Sequence, residues 1–149
     1  MKIAIGSDHK AVEFKSQVKA ILTQLGMEVE DVGPFSEERV DYVDYGAAVA
    51  KMVAQGEAER GIAICGSGVG MSITANKVPG IRAVLAQDSY VARMSREHNN
   101  ANVLCMGALV IGPAVAEEIV RVWLTTEYEG GRHQRRLDKI TALETEKLA

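Results

Sequence analysis

Five short apolar runs, separated by longer stretches in which apolar residues recur at helical spacing, restrict this chain more than any other feature. The runs are "KIAIG" (2–6), "MEVEDV" (27–32), "GIAIC" (61–65), "IRAVLA" (81–86) and "NVLCMG" (102–107). Each has the length and β-branched content of a strand, and "MEVEDV" alternates as a strand with one wetter face does. Between them, Phe14, Val18, Ile21, Leu22 and Leu25 form a helical stripe that stops at Gly26, a residue suited to a helix C-cap. A second stripe at Tyr45, Ala48, Val49, Met52 and Val53 stops at Gly56, and a helical stretch covers Ser89 to about Glu97. Pro113 opens "AVAEEIVRVWL" as a first-turn proline, and "GGR" precedes a charged helix from about His133 to Leu148. The interval between Gly70 and Pro79 reads as too short for an ordinary crossover helix. Strand–helix alternation with short connections implies a parallel sheet buried on both faces. The expected fold is α/β, a three-layer αβα sandwich around a five-stranded, Rossmann-like parallel sheet, formed by one domain over residues 1–149.

Charge narrows the functions this fold is expected to serve. Seventeen basic residues against 20 acidic ones give a net charge of −3, the wrong balance for a nucleic-acid or membrane binder. No apolar run reaches a membrane span, and Met1-Lys2 leads straight into a strand instead of a signal peptide. Two cysteines, Cys65 and Cys105, make neither a disulfide framework nor a zinc pattern, which suits a cytoplasmic setting.

In open parallel sheets, ligands bind beyond the carboxyl ends of strands where the winding reverses. "SDH" (7–9) follows strand one, "CGSGVG" (65–70) follows strand three, and "REHNNAN" (96–102) adjoins strand five. The first two groups share a crevice if strands one and three are neighbours, and all the polar groups are expected along one edge of the sheet. Gly66, Gly68 and Gly70 leave backbone amides open to an anionic oxygen. The loop matches neither GxxxxGK[ST] nor GxGxxG, although Asp88 stands about where a dinucleotide site keeps its ribose carboxylate. Cys65 ends its strand at that amide-rich loop, a setting that exposes a usable thiolate, whereas Cys105 lies inside an apolar strand and reads as core. His9 and His98, with Asp8 and Asn99 beside them, sit at strand ends and are candidate acid–base groups. Arg132 and Arg136, four apart on one helical face, are placed to grip an oxyanion, while Arg135 and Lys139 read as a solvated surface.

Taken together, "GSDH", "CGSGVGMSI-ANK", "GIRA", "SREHN-AN" and "EGGRH--R" resemble the type B ribose-5-phosphate isomerases, from Met1 to about Thr141. Those enzymes belong to a wider group acting on ribose, allose and galactose phosphates. The resemblance implies an aldose–ketose isomerase of the pentose phosphate pathway, a homodimer or homotetramer that works through a cis-enediolate without metal or other cofactor. It implies that Cys65 is the base, and that Ser67 with the amides of Gly66, Ser67, Gly68, Val69 and Gly70 holds the enediolate oxygen. Asp8 and His98 would open the sugar ring, His98 donating the proton. His9, Arg132 and Arg136 would hold the phosphate and Asn99 a sugar hydroxyl, with His98 and Asn99 reaching in from a partner subunit and the last helix contributing to dimer packing.

Departures from the family pattern bear on substrate. Ser67 replaces a frequent threonine but keeps its hydroxyl, and Met71 stands where one branch has a glutamate base. Lys10 and Ala11 alter the usual DH-x-G, and Leu109 replaces an arginine that crosses the dimer to the phosphate; Lys10 is the candidate replacement cation. The alternatives are isomerisation of a six-carbon phosphate, such as allose 6-phosphate or galactose 6-phosphate, and non-catalytic binding of a sugar phosphate.

Overall fold

The structure is a computed structural model that describes residues 1–149. Strands β1 (Lys2–Ser7), β2 (Glu28–Gly33), β3 (Arg60–Cys65), β4 (Ala83–Leu85) and β5 (Val103–Gly107) alternate with helices α1 (Val12–Gln24), α2 (Tyr42–Ala54), α3 (Val69–Asn76), α4 (Ser89–Glu97), α5 (Pro113–Thr125) and α6 (Arg132–Leu143). All pairings are parallel, in the order β2-β1-β3-β5-β4. β1 and β3 are therefore neighbours from which the chain winds outward in opposite directions, and a crevice opens beyond their carboxyl ends.

The strands carry large residues on one face and small ones on the other, as their two-residue period allows. Ile3, Ile5, Ile62, Ile64, Leu104 and Met106 pack with residues of α1, α4 and α5, including the buried Trp123. On the opposite face Ala4, Ala63, Cys65, Val103 and Cys105 meet Val49 and Ala50 of α2 and Met71 and Ala75 of α3. This second layer depends on missing volume. A Cβ at Gly61 would lie 2.6 Å from Val49, and one at Gly46 would lie 2.7 Å from the Met71 sulfur. Close approach of α2 and α3 thus brings the loop after β3 down against the sheet.

Three elements differ from the sequence expectation. A helix does form between β3 and β4: α3 fits in eight residues because it need only step across the small-residue face. β4 shrinks to three residues at the sheet edge, since the amide of Arg82 just ahead of it is taken by the Asn102 side chain. α6 ends at Leu143 instead of about Leu148, because beyond Leu137 none of its residues is buried to hold further turns.

At the β2 edge, Lys15 of α1 is buried and its ammonium donates to Asp31 Oδ1 (2.8 Å) and to the Pro34 carbonyl (2.6 Å). Lys19 donates to Asp31 Oδ2 at 2.8 Å, and the Gly33 amide donates to Oδ1. Burial opposes charge on Asp31, but the hydrogen bonds from Lys15, Lys19 and Gly33 outweigh it and hold its pKa below the ordinary value. A depressed carboxylate contributes stability that is present above its unfolded pKa and is lost as pH falls through the folded one. Asp31→Asn is therefore expected to be about 2 kcal/mol less stable near neutral pH, the deficit shrinking as pH falls below the ordinary carboxylate value. Urea unfolding midpoints from neutral to strongly acid pH check this; a deficit constant with pH would contradict it.

Candidate active site

The crevice is built from the two loops that leave β1 and β3. The β1 ladder extends one residue, with the Asp8 amide donating to the Ile64 carbonyl at 2.8 Å, so Asp8 is delivered beside the end of β3. Cys65, the last residue of β3, is 7% exposed at the base of a cleft of about 430 Å³. Asp8, Lys10, Tyr42, Gly66, Ser67, Val69, Gly70, Ile73 and Leu109 form the rest of that cleft. The amide of Gly68 donates to the Cys65 sulfur at 3.1 Å, a contact that strengthens as sulfur takes on negative charge.

Gly68 has φ +80, and a Cβ there would fall 2.5 Å from Leu85 and 2.9 Å from the Met106 carbonyl carbon. Any larger residue would lift the loop off the sheet. Gly107 does the same from below, since its Cβ would lie 2.6 Å from the Ser67 carbonyl oxygen. The loop runs directly into α3, whose first-turn amides lack intrahelical acceptors; Ser67 Oγ accepts one of them, from Val69, at 3.2 Å. Gln87, which sequence reasoning missed, donates to the Ser67 carbonyl at 3.3 Å and braces the loop from the β4 side.

A second cleft, of about 510 Å³, adjoins the first and shares Asp8, Lys10 and Tyr42 with it. It adds His9, Arg39, Val40 and Asp41. His9 Nδ1 lies 2.9 Å from Asp8 Oδ1 and 3.2 Å from the Val40 amide nitrogen. The ring nitrogen donates to the carboxylate when protonated and accepts from the amide when not, so His9 has a partner in either state. Tyr42 and Arg39 gave no signal in the sequence because they precede the apolar stripe of α2 without belonging to it.

His98, Asn99, Arg132 and Arg136 do not line either cleft. The expectation of a single edge fails for them. His98 and Asn99 precede β5, whereas Cys65 is the last residue of β3, and in a parallel sheet those two positions fall at opposite edges. The five residues of β5 separate those edges by about 17 Å. At the amino-terminal edge, His98 stacks on His133 of α6 with ring centroids 4.3 Å apart and planes 19° from parallel. His133 is buried and its Nε2 lies 3.1 Å from Glu129. His98, Glu129 and His133 together bring three metal-ligating atoms within 4.8 Å, but two rings stacked face to face direct their lone pairs side by side, not at one point. Arg132 is exposed, 3.8 Å from Glu129; Arg136 is also exposed; Asn99 faces a separate groove beneath α6.

Two other candidates are accounted for. Asp88 caps α4, its carboxylate accepting from the Val91 amide at 2.7 Å, which engages the group a ribose would need. Cys105 is fully buried, and burial, with the Cys65 charge adding to it, pushes its thiol pKa far up.

Residues 3–140 match the family model described as ribose/galactose isomerase. The chain is 51% identical to ribose-5-phosphate isomerase B of Escherichia coli, over 96% of each chain. It is 50% identical to a putative sugar phosphate isomerase of Bacillus subtilis, over 99% of this chain and 100% of that one. Among solved structures, ribose-5-phosphate isomerase B of Clostridium thermocellum superimposes with a TM-score of 0.95 at 52% identity, over 97% of each chain.

The contrast between the two thiols is measurable. Native alkylation with iodoacetamide should mark Cys65 at the cleft and leave Cys105 unmodified until the protein unfolds. Peptide mapping checks it, and equal labelling of both under native conditions would contradict the geometry.

Proposed function

The chain belongs to the ribose/galactose isomerase family, and on that premise we propose that it interconverts ribose 5-phosphate and ribulose 5-phosphate, with Cys65 as the base. One observation carries the assignment of the base: the Cys65 sulfur lies in a cleft, hydrogen-bonded by the Gly68 amide, with Val69 and Gly70 of the first turn of α3 lining the same cleft. The alternative base position favours the same reading, because Met71 is fully buried under α2 and offers no proton acceptor.

The proton on C2 passes to the Cys65 thiolate, and the C–H electron pair becomes the C1–C2 double bond of a cis-enediolate. Negative charge then develops on the carbonyl oxygen at C1. Ser67 and those amides of Gly66 to Gly70 not already engaged, as that of Gly68 is by the Cys65 sulfur and that of Val69 by Ser67 Oγ, are donors held in place before that charge appears, an arrangement in which one donor is worth about 3 kcal/mol of barrier. Return of the carbon proton from Cys65 to C1, with transfer of the C2 hydroxyl proton to the C1 oxygen, completes the ketose. Asp8 stands at the same cleft to help open the furanose ring, and His9 in the adjoining cleft takes the phosphate.

His98, Asn99, Arg132 and Arg136 enter this scheme from a second copy of the chain. Their place at the amino-terminal edge leaves the carboxyl-edge half incomplete, and a twofold pairing brings each half to its complement. The last helix then supplies phosphate contacts to the partner's cleft, and a monomer lacks a working site. A homodimer or a pair of dimers satisfies this requirement, in a cytoplasmic sugar-phosphate pathway.

A six-carbon aldose phosphate is the second reading. Leu109, 77% exposed at the cleft rim, takes the place of a cation and leaves an apolar wall where a longer chain can lie. A panel of ribose, allose and galactose phosphates, read for ketose product, separates the two: highest kcat/KM on ribose 5-phosphate is expected, and turnover of hexose phosphates alone would overturn the pentose assignment.

Cys65→Ala should lower kcat by about 10³-fold while sugar phosphate still binds, and a near-wild-type rate would remove the thiol from the mechanism. Arg132→Ala and Lys10→Ala should mainly raise KM, since phosphate contacts act on ground and transition states alike. For Lys10, an unchanged KM would show that it supplies no charge to the phosphate.

A further inference from the structure

The segment that carries His98 and Asn99 is held from beneath by two arginines. Arg82, just ahead of β4, donates from Nε to the Asn99 carbonyl (2.8 Å) and from Nη2 to the Asn100 carbonyl (3.0 Å). Arg96, in the last turn of α4 and 5% exposed, donates from Nη1 to the Ala101 carbonyl (2.6 Å) and to Asn100 Oδ1 (2.9 Å). Three successive carbonyls are thus engaged by two guanidinium groups. Between them Asn100 takes φ +47, a left-handed conformation that asparagine tolerates better than most residues. Asn102 closes the arrangement, accepting from the Arg82 amide at 2.8 Å and donating to the Gly80 carbonyl at 2.9 Å.

We infer that Arg82 and Arg96 are positioning residues that lock His98–Ala101 in the one conformation presenting His98 and Asn99 to the active site of a partner chain. Turning the carbonyls of residues 99 to 101 inward onto cations leaves the Asn99 side chain exposed and His98 half-exposed. Lysine is a poor substitute, because one ammonium does not reproduce a rigid fork across two consecutive carbonyls. Arg96 also lies over Trp123, its guanidinium carbon 6.0 Å from the ring centroid. Burial, with Arg60 and Arg82 nearby and Glu127 opposing them, lowers its pKa to about 10, which leaves it a cation at neutral pH.

The catalytic part of this inference rests on the isomerase reading and its shared site; the locking part does not. The test uses Arg82→Met and Arg82→Lys, because Arg82 is less buried than Arg96 and its replacement leaves the core intact. Amide-hydrogen exchange over residues 97–102 should rise about tenfold or more in Arg82→Met, and less in Arg82→Lys, with exchange in the five strands unchanged. With ribose 5-phosphate, kcat should fall about tenfold or more while KM moves less, and lysine should restore part of it.

Arg82→Met is then refolded together with Cys65→Ala. A mixed dimer has one site combining an intact Cys65 with an intact His98 segment, so random pairing should recover about a quarter of the wild-type rate. The control pair, His98→Asn with Cys65→Ala, reports whether sites are shared at all. Recovery in the control but not with Arg82→Met, or wild-type kcat in Arg82→Met, overturns the positioning role. Unchanged exchange over 97–102 overturns the lock itself. Failure of the control, or a wild-type protein inactive on every sugar phosphate, defeats the isomerase or shared-site reading, while the exchange experiment still decides the lock.

Discussion

Five strands running the same way give the sheet a polarity that fixes where each functional group can lie. Residues that follow a strand collect at the carboxyl edge, and residues that precede one collect at the amino edge. Asp8, Cys65 and Ser67 lie at or beyond the ends of β1 and β3, whereas His98 and Asn99 precede β5. No rotamer change brings the two sets together, because the length of a strand stands between them. The proposed pairing of two chains is thus a consequence of strand direction before it is a matter of interface chemistry. On that proposal each chain carries two halves of different sites, which a twofold operation would join.

The carboxyl-edge half owes its geometry to small residues. Gly61, Ala63 and Cys65 on β3 and Gly6 on β1 let α2 and α3 settle against one face, while isoleucines fill the other. α3 consequently starts one residue after the Gly68 amide that meets the Cys65 sulfur, and the loop into it lies tight on Gly107, with Gly68 against Leu85 and Met106. A donor array made in this way needs little reorganisation when charge appears nearby, which is the property an enolising site requires. The same face buries Cys105 beyond use. Two thiols on one layer of one sheet acquire opposite characters because one ends its strand and the other does not.

The five parallel strands follow from features a reader of the sequence has in hand, apolar runs and glycine stops, whereas the crevice between β1 and β3 needed the strand order, which places those two side by side. Cys65, Ser67 and Asp8 were legible for the same reason, since each adjoins a run that must be a strand. α3 was not, because eight residues rich in small side chains show no stripe. Nor was the Lys15–Asp31 pair, which joins a helix to a strand 16 residues away through a lysine indistinguishable in sequence from a solvated one. The separation of His98 from Cys65 was within reach but needed one more step, asking on which side of its strand each residue falls. Arg39 is positioned by the loop before α2 and Tyr42 by the first turn of that helix, and neither belongs to a periodic stripe that could be read.

Charge gives a second, independent reason for the halves to meet. At the carboxyl edge, Asp8 and Asp41 offset Lys10 and Arg39, and His9 is engaged with Asp8, so this half has little net positive charge to offer. A sugar phosphate brings a charge approaching −2, and the enediolate adds another as it forms. Leu109 removes a cation that the family pattern would place at the rim. At the amino edge, by contrast, Arg132 and Arg136 stand exposed, with one carboxylate, Glu129, 3.8 Å from Arg132 and shared with His133. On the proposed pairing, a dianion in the cleft of one chain would find its neutralising charge on the α6 of another, and substrate binding would itself favour the association that completes the site.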